Sequence, residues 1–143
     1  MFYDTEKKPV IIVGHSLGGV LARYLGTEFP DEVRGVALLG SPLHQSFVST
    51  FLSWQAKMLF SILTPCVRAR ESCACGLVQA VSRRSSADRG RLVSIYSRND
   101  QVVHWKSSMA DGIRSYEVGG GHLALVVNQN AYRAMANAFV SFP

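Results

Sequence analysis

The sequence predicts an α/β fold, an open and mainly parallel sheet with helices on both faces. Three observations lead there. Two apolar runs, Val10–Val13 and Val33–Leu39, flank a stretch with helical spacing, giving strand, helix and strand within about 30 residues. Further strand-like runs at 92–96 and 113–118 alternate with helical segments. Glycines and prolines punctuate the ends of these runs, where turns need them.

Pro9 can stand only at the start of a strand, and Val10–Val13 then reads as a parallel strand covered on both sides. Leu17, Val20, Leu21, Tyr24 and Leu25 recur at helical spacing, with Gly26 and Pro30 expected to end that helix. Val33–Leu39 is a second buried strand, stopped by Gly40-Ser41-Pro42. The crossover between the two strands should be right-handed. From Leu43 to Arg84 the rhythm breaks. Phe47, Val48, Phe51, Leu52, Trp54, Leu59, Phe60, Ile62 and Leu63 make a partly amphipathic helical segment, and a second short helix is expected over 76–81. Residues 43–87 are therefore expected to be an insertion within a single domain spanning 1–143. It would pack over the sheet and line an apolar pocket.

Leu92–Tyr96 predicts a third strand with Ser97-Arg98-Asn99-Asp100 as its exit loop. Trp105–Asp111 predicts a short helix, and Ile113–Val118 a fourth, peripheral strand leading to Gly119-Gly120-Gly121-His122. The last helix is expected over 130–139, with Tyr132, Met135, Ala136 and Phe139 on one side.

Composition narrows the function classes. With 143 residues, 48% hydrophobic and 17% charged, the chain can bury a real core. No apolar run approaches the ~20 residues of a membrane span, and no basic-then-apolar leader opens the chain, which favours a cytoplasmic location. The net charge of +5 comes largely from arginines between Arg68 and Arg91. These lie in a Ser-rich segment with few aromatic residues, a pattern for a solvated basic face and not for a nucleic-acid interface. Cys66, Cys73 and Cys75 lack the paired spacing of a metal knuckle, so no metal is expected. They read as free thiols in a reducing compartment, or as one local disulfide with one thiol left over.

The chemistry-bearing stretch is Gly14-His15-Ser16-Leu17-Gly18-Gly19, a serine between close glycines where a strand passes into a helix. Such a turn leaves the Ser16 hydroxyl clear of its neighbours and aims helix N-terminal N–H groups at a developing oxyanion, with Leu17 N–H as the expected donor. Serine needs a base, and the base needs a carboxylate to orient it. Asp100 and His122 each follow the C-terminal end of a strand, where open sheets gather functional groups. The order Ser16, Asp100, His122 matches one of the serine-triad architectures. Asp88 and Asp111 are rival carboxylates, but the first precedes its strand and the second is expected on a surface helix. His15 should point away from the nucleophile and serve packing or a local hydrogen bond. His44 and His104 are loop histidines without a metal-ligand pattern.

These motifs, with Gly40-Ser41-Pro42, 97–103 and Gly121-His122-Leu123, resemble bacterial lipases and esterases of the α/β-hydrolase superfamily. The resemblance implies the C-terminal half of that fold, with a variable helical cap over 43–87. It implies Ser16 as nucleophile, Asp100 as acid, His122 as base and Leu17 N–H as one oxyanion donor. Carboxylic esters, small or lipid, would be cleaved through an acyl-enzyme, with no cofactor and no metal. The family usually has several strands and an oxyanion loop before the elbow strand, whereas nine residues precede Val10. A catalytically impaired domain that binds or forms homo-oligomers through the Val10–Val13 edge is the alternative expectation, and amide or thioester hydrolysis is a smaller one.

Overall fold

A computed structural model describes residues 8–44 and 90–143. Its four strands are β1 (Val10–His15), β2 (Val33–Leu39), β3 (Leu92–Tyr96) and β4 (Arg114–Glu117). They form one sheet in the order β1-β2-β3-β4, and every neighbouring pair is parallel. Two α-helices accompany them, α1 (Leu17–Glu28) and α2 (Gln129–Val140). The expected cap at 43–87 lies outside the described residues apart from Leu43 and His44, as do Asp88 and the three cysteines.

The period-2 geometry of β2 explains why its residues from Val36 to Leu39 are all apolar, while Arg34 near its start is exposed. Ala37 and Leu39 point to one face, where they join Val93, Ile95 and the α2 residues Ala131, Ala134, Met135 and Ala138. Val36 and Leu38 point to the other, with Ala22 of α1, Val33, Leu43 and Leu92. Both faces are covered, so no position of the strand can be polar without a partner. Replacing a fully buried side chain here, such as Ile95 by Ala, would cost about 2–5 kcal/mol.

Several expectations need correction. β1 is an edge of the sheet among the described residues, and Val10 and Val13 are 54% and 47% exposed instead of covered. The α1 helix continues through Gly26 to Glu28. A Cβ on Gly26 would lie 2.7 Å from Val36 Cγ2, so this glycine lets the helix approach the sheet and does not terminate it. The buried face of α1 is Gly19, Val20, Ala22 and Arg23, while Leu17 and Leu21 are exposed. In α2 the buried face is Ala131, Ala134, Met135 and Ala138, with Tyr132 outside and its hydroxyl donating to Val126 O at 2.6 Å. In both helices small residues set the close contact, and the larger side chains lie beside it or in solvent.

The segment after Trp105 is a 3-10 helix ending at Ser108, and Asp111 lies in an exposed turn. Its carbonyls are taken from outside. Ser107 O accepts Leu43 N–H at 2.6 Å, and Ser108 O accepts the Ser94 hydroxyl at 2.6 Å. A second 3-10 helix, Leu123–Val127, was not expected from the sequence and buries Leu125 completely. Asn128 caps α2, its Oδ1 accepting from Asn130 N and Ala131 N.

Candidate active site

The parallel register brings the C-terminal ends of the strands to one edge. His15 is level with Leu39, Leu39 with Ile95, and Tyr96 with Glu117. Ser16, Gly40, Asp100 and His122 all follow those ends, the edge at which open sheets place ligands.

Ser16 closes the turn from β1 to α1 with φ 54 and ψ −125. Among the described residues it is the one non-glycine residue with positive φ. Such a conformation costs about 1–3 kcal/mol and persists only when its surroundings hold it. Here its N–H donates to Leu39 O at 2.9 Å, and its carbonyl accepts Gly19 N–H at 3.0 Å. The turn closes tightly because Gly14 meets the helix without a side chain. A Cβ there would lie 2.4 Å from Gly18 O and 2.5 Å from the Gly19 Cα. Gly19 is equally enclosed, with a Cβ position 2.0 Å from the buried Ser41 Oγ.

Asp100 and His122 are brought together. His122 Nδ1 and Asp100 Oδ2 are 2.7 Å apart, with both side chains almost entirely buried. The other carboxylate oxygen accepts Val102 N–H and Val103 N–H, each at 2.8 Å. These bonds fix the carboxylate in the loop after β3. A carboxylate facing Nδ1 favours the tautomer with its hydrogen on that nitrogen, leaving the Nε2 lone pair available to take a proton.

Two neighbours of this pair were not found by sequence reasoning. Gly40, at φ +51, sits beside it, and a Cβ there would lie 2.9 Å from Asp100 Oδ2 and 3.3 Å from His122 Nδ1. The available cue was Gly40-Ser41-Pro42, which marks the end of a strand and a motif of the resemblance but gives Gly40 no place beside the Asp–His pair. His15 does not make a local bond. Its Nε2 lies 3.0 Å from the His122 carbonyl oxygen, 107 residues away in the chain. The two imidazoles are 4.5 Å apart at 42°.

Ser16 is half-buried, and its hydroxyl makes no hydrogen bond with His122 among the described residues. His44 and His104 lie apart from this group. His44 Nε2 is 2.8 Å from Met109 O, and His104 Nδ1 accepts from Lys106 N. Among the described residues no cluster of His, Cys, Asp or Glu could hold a metal ion.

A strand–serine–helix turn, an Asp–His pair beyond later strands and an all-parallel sheet together define the architecture. The fold is a partial α/β-hydrolase core. A family model described as alpha/beta hydrolase fold matches residues 5–65, fewer than half of the 143. Solved structures extend the likeness. One from a study of LipS and LipT, two metagenome-derived lipolytic enzymes, is 19% identical with a TM-score of 0.58, covering 92% of this chain and 65% of its own. A monoacylglycerol lipase from Paleococcus ferrophilus is 17% identical with a TM-score of 0.53, over 94% of this chain and 69% of its own. The putative non-heme bromoperoxidase BpoC from Mycobacterium tuberculosis H37Rv is 16% identical with a TM-score of 0.61, over 93% of this chain and 67% of its own. The chain thus spans roughly two-thirds of the solved structures it resembles. No curated protein matches its sequence. Among the described residues, no helix of this core is long and apolar enough to cross a membrane.

Proposed function

We propose that the site belongs to a serine hydrolase of carboxylic esters, and that this chain by itself is a catalytically impaired form of it. The observation that carries the chemical reading is the 2.7 Å Asp100–His122 contact beside the strained Ser16 turn. In the reaction His122 Nε2 takes the Ser16 proton as Oγ attacks the ester carbonyl. Asp100 steadies the imidazolium, which then protonates the departing alkoxide. Water, activated by the same histidine, releases the acid from the acyl-enzyme. The lipolytic enzymes among the structural neighbours support an ester as substrate.

One observation favours impairment, and a consideration of the oxyanion site adds to it. Ser16 Oγ and His122 are not hydrogen-bonded. Leu17 N–H is the one oxyanion donor that the elbow itself supplies, and lacking a second donor would remove about 3 kcal/mol of transition-state stabilisation. The β1 strand, an edge among the described residues, then offers a role in pairing with a second copy or a partner strand.

Covalent labelling by a fluorophosphonate, compared with Ser16→Ala, tests the site. Ester turnover and the solution mass of the same sample test competence. Slow labelling that depends on Ser16, weak turnover and a defined oligomer are expected. A folded wild-type chain with no labelling at Ser16 overturns the chemical reading, and an active monomer overturns the impairment.

A further inference from the structure

We infer that His15 is a positioning residue, whose Nε2–H holds the His122 carbonyl and so keeps the His122 imidazole in register with Ser16. This rests on the reading of His122 as the base. Ser16 is anchored through its backbone, because its N–H is bonded to Leu39 O at the end of β2. His122 has no such sheet anchor. It lies beyond β4, at the start of a 3-10 helix, with φ −50 and ψ −53. Asp100 fixes one ring atom, Nδ1, and the loop is otherwise tied on either side of His122, by Asn128 Nδ2 to Gly119 O at 2.6 Å and by Leu125 N–H to Gly121 O at 3.3 Å, within its own segment of chain. The bond from His15 is the one that ties the His122 main chain directly to the nucleophile's own strand, at the last residue of β1.

The residue immediately before the nucleophile therefore grips the residue that would deprotonate it. A carbonyl can only accept, so the hydrogen of His15 sits on Nε2. Asp100 imposes the opposite arrangement on His122, with its hydrogen on Nδ1. The two rings, 4.5 Å apart, are thus fixed in different tautomers. A misplacement of about 1 Å between reacting groups can cost on the order of 100-fold in rate, so a remote anchor of this kind acts on rate with little effect on binding.

Variants of the full chain test this. Glutamine can present an amide donor near the place of Nε2, asparagine is too short, and leucine has no donor. The rate constant for fluorophosphonate labelling at saturation should fall about tenfold in His15→Leu and His15→Asn, the scale of one lost hydrogen bond. It should return to within about twofold of wild type in His15→Gln, with the half-saturating concentration unchanged throughout. Equal losses in all three variants, or none in any, overturn the proposal. Histidine-ring nitrogen NMR gives a readout that needs no activity. It should show Nε2–H for His15 and Nδ1–H for His122 in the wild type. The His122 signal should broaden with leucine or asparagine at position 15 and stay sharp with glutamine. If wild-type Ser16 is not labelled, the proposed function fails while this spectrum still decides the role of His15. A His15 ring protonated on Nδ1 alone, or a His122 signal indifferent to all three substitutions, overturns it. Should His15→Leu fail to fold, the asparagine and glutamine pair carries the same contrast.

Discussion

Gly40 leaves no room for a side chain beside Asp100. A Cβ at that position would lie 2.9 Å from Asp100 Oδ2 and 2.8 Å from Leu125 Cδ1, at a φ of +51 that side chains rarely adopt. Gly40→Ala should therefore destabilise the fold by about 1–3 kcal/mol in urea unfolding. It should also displace the Asp100–His122 pair and slow Ser16 labelling. Unchanged stability with unchanged labelling would show that the loop moves aside freely.

Asp100→Asn separates structure from chemistry. The amide oxygen can still accept Val102 N–H and Val103 N–H, which the carboxylate bonds at 2.8 Å. The amide nitrogen would face His122 Nδ1 as a donor and drive the ring hydrogen to Nε2. Stability should fall by about 1–2 kcal/mol. Labelling and any ester turnover should fall by about 10⁴-fold, as the wrong tautomer cannot accept the serine proton. A variant labelled at the wild-type rate would remove Asp100 from the mechanism.

Replacing Ser16 tests the strain at its positive φ. Alanine removes the hydroxyl and keeps the strain, whereas glycine removes both. Ser16→Gly should be more stable than Ser16→Ala by about 1 kcal/mol, the strain relief exceeding the extra chain entropy of glycine. Neither should be labelled. Thermal unfolding of the two variants side by side measures the difference, and equal midpoints would mean that the turn is relaxed.

Asn128 carries three hydrogen bonds, two into the first turn of α2 and one from its Nδ2 to Gly119 O at 2.6 Å. Asn128→Ala should cost about 1–2 kcal/mol of stability. Asn128→Asp keeps the cap and loses only the tie to the glycine loop, so it should cost less than alanine. Denaturant unfolding ranks the two, and the reverse order would place the main contribution in the Gly119 bond.

Much of this architecture is written in local patterns. Val33–Leu39 and Leu92–Tyr96 are strands at the expected residues, because buried parallel strands are predominantly apolar, here with Arg34 and Ser94 as the polar exceptions, and end at glycine or serine. Ser16, Asp100 and His122 could be placed at strand ends from order and spacing alone. The helix faces could not, since Gly26, Ala131 and Ala138 are chosen for close approach and carry almost no hydrophobic signal. The bond from His15 to His122 spans 107 residues and leaves no periodic trace. Nor does the 3-10 helix at 123–127, whose apolar residues match neither helical nor strand spacing.

The strands lie in the sheet in the order in which they occur in the chain, from β1 to β4. During synthesis Ser16 emerges first, Asp100 some eighty residues later, and His122 after that. Until the segment beyond β4 leaves the ribosome, the serine turn has neither His122 nor the carbonyl that His15 Nε2–H bonds. On the proposed reading, Ser16 of the nascent chain has no base to serve it until part of the last fifth of the residues has emerged.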